Sequence, residues 1–157
     1  MKSAAPLSHQ EFIDRWHDIL APYSLGYRIK FLAQIASRRF QEKLEPFGLT
    51  PFHWVVLCCL WEEDGLPTST ICGKLQQVGG TLTGVLDRME ERNLIRRERD
   101  VRDRRIWRIW LAEEGNRLRE VLPPVVQDLR EQAFAGISEK DRQYLSEMLD
   151  QLIANMT

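Results

Sequence analysis

Between Arg88 and Arg108 the chain carries nine arginines, at positions 88, 92, 96, 97, 99, 102, 104, 105 and 108. Five acids stand among them: Glu90, Glu91, Glu98, Asp100 and Asp103. The local excess is four positive charges, in a chain whose formal net charge is −1. A guanidinium is always charged near neutral pH and donates in a planar fork, which suits phosphate oxygens and the edge of guanine. Such a patch would neutralise phosphates, and its binding would weaken with salt. A solvated surface of interleaved signs has the same composition. The elements around the arginines must therefore decide between the two.

Ile71 and Leu75 are spaced i, i+4, and Leu82, Val85, Leu86 and Met89 are spaced i, i+3, i+4, i+7, one face of a helix. After Asn93 the period falls to two. Trp107, Ile109 and Leu111 alternate with Ile106, Arg108 and Trp110, as in a half-buried strand. Two short helices, a tight turn and a two-stranded hairpin with a basic tip predict a winged helix-turn-helix. The non-core face of the second helix carries Thr81, Thr83, Gly84, Asp87 and Arg88. Small positions there let a helix approach base edges, and Arg88 can donate bidentately to guanine. A flexible arginine at the hairpin tip can enter a narrow minor groove.

The rest of the chain supplies helices. Ser8 and Glu11 form a capping box before a short helix with Phe12, Ile13, Trp16, Ile19 and Leu20 on one face, which Ala21-Pro22 ends. Residues 1–7 read as a tail. A longer helix is expected from about Ser24 to Glu45, stopped by Pro46 and Gly48. Thr50 as N-cap and Pro51 in the first turn open a third helix, apolar nearly all round and so buried. Asp64-Gly65 ends it, Leu66-Pro67 is a short extended link, and Thr68 caps the next helix. After the hairpin, helices are expected from Glu113 to about Gly136 and from Ser138 to about Asn155. Pro123-Pro124 predicts a kink near residues 121–123, or two helices meeting there.

With 157 residues and 43% hydrophobic content, one domain spanning 1–157 is expected. Within it residues 48–112 form the winged unit, and the helices of 8–47 and 113–157 flank it as dimerisation helices. The fold class is mainly α with a small β-hairpin wing. The flanking helices have too little core of their own, which a symmetric homodimer remedies. No apolar run reaches membrane-spanning length, and no secretory h-region opens the chain. Three cysteines, an odd number, fit a reducing cytoplasm.

Several of these segments resemble the MarR family of bacterial transcription regulators. They are Gly48-Leu49-Thr50-Pro51-Phe52-His53-Trp54-Val55-Val56-Leu57, Gly80-Thr81-Leu82-Thr83, Asp87-Arg88-Met89-Glu90, the wing Asp100-Val101-Arg102-Asp103-Arg104-Arg105, and Leu111-Ala112-Glu113-Glu114-Gly115. The resemblance covers about residues 24–155. It implies a homodimeric repressor or activator on double-stranded DNA, released by a small aromatic ligand or by thiol oxidation. It carries Thr81, Thr83, Gly84 and Arg88 over as major-groove positions and Arg105 as the wing-tip arginine of the minor groove. Arg102 and Arg104 would touch phosphates, and the Asp103 carboxylate would orient the Arg105 guanidinium. The chain departs from the family at Val78 and Ala112, where capping residues are usual, and at Trp110, where a charged residue is commoner.

A pocket for an aromatic acid or phenol is expected from Trp16, Tyr27, Arg28, His53 and Trp54, with Tyr23 and Trp61 beside them. Aromatics on helical faces are also ordinary core. Cys59 is the candidate redox thiol, although no Lys or Arg neighbours it in sequence. No zinc-ligand spacing, phosphate loop or nucleophile motif accompanies the three histidines, so neither cofactor, metal nor enzyme chemistry is expected. The remaining rival is a winged helix that binds protein and not DNA; the arginine cluster argues against it.

Overall fold

The computed structural model describes residues 7–75 and 80–157, with only the backbone of residues 80 and 81. Residues 1–6 of the expected tail and the Val78 position lie outside the described residues. The chain forms two compact units, residues 1–42 and 43–157.

In the first unit α1 spans His9–Trp16. The expected capping box forms: the Glu11 N–H donates to Ser8 Oγ at 3.3 Å, and the Ser8 N–H donates to the Glu11 carboxylate at 2.8 Å. Helix α2 spans Leu25–Leu44. Its apolar side chains Leu25, Ile29 and Leu32 are exposed at 61%, 39% and 64%. A helix with an apolar face left in water needs a partner surface.

The second unit is built on α3, Pro51–Glu62, whose Val56, Leu57 and Leu60 are buried. Its N-terminus is closed by a reciprocal pair. The His53 N–H donates to Thr50 Oγ1 at 3.4 Å, and the Thr50 N–H donates to His53 Nδ1 at 3.1 Å. This makes His53 a capping residue as well as a core one, which the sequence reading of Thr50 as N-cap did not foresee. After α3 come β1 (Leu66–Pro67), α4 (Thr68–Leu75), α5 (Gly80–Glu91), β2 (Ile95–Arg99) and β3 (Trp107–Leu111).

The sheet has three strands in the order β1-β3-β2, all antiparallel, one more than the expected two-stranded hairpin. The extended link 66–67 is the third: Leu66 pairs with Ile109 and Pro67 with Arg108. A proline is tolerated in such a short edge strand because an edge leaves some donors unneeded. Thr68 opens α4 as its first residue, and its hydroxyl donates to the Trp107 carbonyl at 3.2 Å.

Helix α6 runs Glu113–Ala133 and α7 runs Glu139–Met156. Of the two expectations at Pro123-Pro124, meeting helices are corrected, because α6 continues through both prolines. The prolines and residues 119 and 120, whose carbonyls lose their i+4 donors, are exposed, so water can take the place of those donors. Ala112 caps α6 without a side-chain bond, as its type required. Backbone replaces it: the Glu114 N–H donates to the Asn93 carbonyl at 3.2 Å, and Ala112 N–H to the Leu94 carbonyl at 3.0 Å. Gly115 is required there, since a Cβ would fall on the Leu94 carbonyl oxygen. The Gly115 carbonyl in turn accepts from Trp61 Nε1 at 3.0 Å.

Candidate nucleic-acid interface

Helix α5 turns its Leu82, Leu86 and Met89 into the core and leaves Thr83, Gly84 and Arg88 exposed. A Cβ built on Gly84 would meet nothing within 4 Å, so that stretch of the face is open to a close-approaching surface. The Thr81 side chain lies outside the described residues. Past the helix end at Glu91, Asn93 takes the left-handed conformation at φ 56°. The wing begins immediately after it.

The nine arginines divide by what holds them. Arg97 stitches β2 to α5, donating to Glu90 at 2.6 Å and to Asp87 at 2.8 Å. That network holds the Glu90 carboxyl below its usual range, the Arg97 hydrogen bond being the largest cause. Arg92 forks onto the carbonyls of Phe47, at 2.7 Å, and Gly48. Arg99 lies over the Trp107 ring at 3.9 Å and donates to the Arg104 carbonyl at 3.0 Å. Arg96 pairs with Glu98 and flanks the Trp110 ring at 5.6 Å. Arg108 pairs with Asp100 and donates to the Gly65 carbonyl at 2.7 Å.

Four guanidinium groups remain without a hydrogen bond or ion pair among the described residues: Arg88, Arg102, Arg104 and Arg105. One is on the open face of α5, and three are on the wing tip, residues 100–106. The local positive excess read from the sequence is thus held where it can meet an anion, and the interleaved acids are largely engaged with the other five arginines.

The tip has a defined turn. Asp100 Oδ1 accepts from the N–H groups of Arg102, at 2.7 Å, and Asp103, at 3.0 Å. The Asp100 N–H donates to the Ile106 carbonyl at 2.9 Å, closing the loop. The Arg108 hydrogen bond and the two backbone donors hold the Asp100 carboxyl down at about 2, so it is ionised at any working pH. The expected orienting role of Asp103 takes a different route: its Oδ1 accepts the Arg105 backbone N–H at 3.0 Å and fixes main chain, not guanidinium. Trp110 packs over Gly65, whose Cβ, if present, would lie inside the indole. Gly65 has φ +75° and so needs glycine twice over.

The residues expected to hold a small ligand are distributed over both units. Trp16, half-buried at the end of α1, lies under the Arg15 guanidinium at 4.9 Å. Tyr27 and Arg28 are exposed on α2, with Tyr27 stacked on Phe31 at 6.3 Å between centroids. In the second unit Trp54 meets Trp61 edge-on at 5.6 Å. His53 is 4% exposed, and its Nδ1 must be the unprotonated nitrogen because it accepts from Thr50. Burial and the charges of Arg92 and Arg88 hold its pKa below the ordinary histidine value.

Cys59 is buried, and burial pushes its thiol up, with Lys74 opposing. Cys58 is pushed up to about 11, again by burial first. Neither environment favours a thiolate. Among the described residues no three His, Cys, Asp or Glu side chains group as a metal site, and no helix is long and apolar enough to cross a membrane.

An exposed small-residue helix face and a basic three-stranded wing define a winged-helix unit. Residues 49–107 match the MarR family model. The regulator TtmR of Methylorubrum extorquens is 35% identical over 102 residues, 62% of this chain and 52% of TtmR, so the chain spans about half of that protein. The regulator YsmB of Bacillus subtilis is 27% identical over 113 residues, 72% of this chain and 77% of YsmB. The fold is also that of MepR from S. aureus, solved as a DNA complex: TM-score 0.78 at 22% identity, covering 88% of this chain and 100% of MepR. Over residues 49–107 the chain is thus similar to the MarR family of transcription regulators, and its fold is shared with MepR.

Proposed function

We propose that the chain binds double-stranded DNA sequence-specifically as a homodimer and represses transcription from a pseudo-palindromic operator, acting in the cytoplasm. The observation that carries this reading is the division of the arginines: the four without protein partners sit on one helix face and one wing tip. Helix α5 would read base edges through Thr81, Thr83, Gly84 and Arg88 in the major groove. The wing would anchor through Arg102, Arg104 and Arg105, with Asp103 shaping the turn that carries them. The structure of MepR with DNA is a precedent for the same fold on a duplex. The homodimer is supported within each unit by exposed apolar side chains: Leu25, Ile29 and Leu32 on α2, and Tyr144, Leu149 and Ile153 on α7. A protein-binding winged helix would have no need of the partnerless arginines.

The test is selection of binders from a random duplex pool, followed by gel shift of the enriched duplex against a scrambled one. Enrichment of a two-fold symmetric motif is expected. A pool that stays random through repeated rounds would overturn the reading.

For release we propose a small aromatic acid or phenol as effector, with His53 and Trp54 of the second unit as candidate contacts. The half-buried Trp54–Trp61 pair is the feature that favours an aromatic ligand over thiol oxidation, since Cys59 is buried with a raised thiol pKa. Salicylate should bind in calorimetry and weaken the gel shift; if it does neither, this part of the reading fails.

A further inference from the structure

Beyond the pairing of β2 with β3, the Arg108 guanidinium ties the wing tip to the turn before β1. Arg108 leaves β3 and reaches two ways. Its Nε donates to Asp100 Oδ2, and its Nη1 donates to the Gly65 carbonyl at 2.7 Å in the turn between α3 and β1. The other oxygen of the same Asp100 carboxylate accepts the N–H groups of Arg102 and Asp103. The turn on the far side is itself tied down, because Asp64 Oδ1 accepts both the Gly65 N–H at 2.9 Å and the Leu111 N–H at 2.8 Å. An open cleft of about 320 Å³ lies around this strut, lined by Asp64, Gly65, Val101, Arg102 and Trp110 among others, so packing does not fix the tip there.

We propose that Asp100 and Arg108 are positioning residues for DNA recognition: the strut from Gly65 through Arg108 to Asp100 sets where the wing-tip arginines stand relative to the reading helix. This rests on the DNA-binding reading above. Both ends of the strut are short and charge-assisted or made to backbone, so they fix direction as well as distance. The Asp100 side chain is 11% exposed, which keeps competing water largely away from it. A wing held in this way meets one flanking segment of duplex at one depth. A wing released from it would still carry its charge but would sample many placements. The strut therefore contributes to discrimination between flanks, and little to overall charge-driven affinity.

Two variants separate these effects. Arg108→Lys keeps the positive charge but cannot bridge Asp100 and Gly65 with a planar fork. Asp100→Asn keeps an oxygen for the two turn N–H groups but loses the charge that holds Arg108. Each is titrated against the selected duplex with A·T-rich flanks, the same core with G·C-rich flanks, and a scrambled duplex, at two salt concentrations. The preference for A·T flanks over G·C flanks should fall by about threefold or more in each variant. The core-against-scrambled ratio should stay near wild type, and the double variant should be no worse than either single one. The salt slope of Arg108→Lys should match wild type, because no charge is removed. If both variants keep the wild-type flank preference, or lose affinity for all three duplexes by the same factor, the positioning role is overturned and the strut serves stability only. If the wild-type protein itself prefers no duplex, the regulator reading falls first and this inference with it.

Discussion

Arg97 and Arg105 stand in one hairpin and serve different ends. Arg97 is held by Asp87 and Glu90, so its removal leaves two neighbouring carboxylates on one face of α5 without their shared cation. Arg97→Ala should lower stability by about 0.5–1 kcal/mol, the scale of a partly exposed ion-pair network, as read by denaturant unfolding. Arg104→Ala should leave unfolding unchanged, weaken binding to all duplexes alike and lower the salt slope by about one. Arg88→Ala should cost about 1–3 kcal/mol at its own base step and relax specificity there. Arg105→Ala should hurt most where the flanking minor groove is narrow. His53 gives a pH prediction of a different kind. Its folded pKa lies below the ordinary histidine value of 6.5, so the unfolded chain takes up its proton first as pH falls. The contribution of neutral His53 is full above 6.5 and is lost progressively as pH drops through the folded pKa. The denaturant midpoint should therefore decline below that value, before the carboxylates begin to titrate, and His53→Gln, which retains an acceptor for the Thr50 N–H, should flatten that decline. An unchanged slope in His53→Gln would rule His53 out as the cause.

At the scale of elements, periodicity made α5 and β3 legible, because each buries one regular face. Two caps were legible because the capping atom belongs to the chain segment itself: Ser8 and Thr50 both accept the expected N–H. The third strand was not. Leu66-Pro67 is too short to show a period, and its strand character comes from pairing with residues 108 and 109 far along the chain. The sorting of the arginines was hidden for the same reason, since Arg92, Arg97 and Arg108 find their partners across elements. The wing-tip set was legible because a hairpin tip must be exposed. The prolines of α6 show local propensity overridden: the helix continues where their chemistry alone would end it. Pro124→Ala should restore the donor to residue 120 and raise stability by about 1–3 kcal/mol. Gly115→Ala should do the reverse, by about 1–3 kcal/mol, because its Cβ meets a buried carbonyl. Thermal or denaturant unfolding of the two variants checks both signs.

For the whole molecule, the net charge of −1 would not suggest a DNA-binding protein, and the sorted charge does. Recognition by α5, as proposed, would cover only a few base pairs, so useful specificity would need two copies working together. The exposed apolar side chains of α2 and α7 supply a physical reason for pairing. The measurement that tests this most directly is footprinting on the selected duplex, together with the protein-to-DNA stoichiometry of the complex by sedimentation. Two protected half-sites about one helical turn apart, near 34 Å, with two chains bound per duplex, are the predicted result. A single protected half-site with one chain bound, from a protein that sediments as a monomer at micromolar concentration, would contradict it.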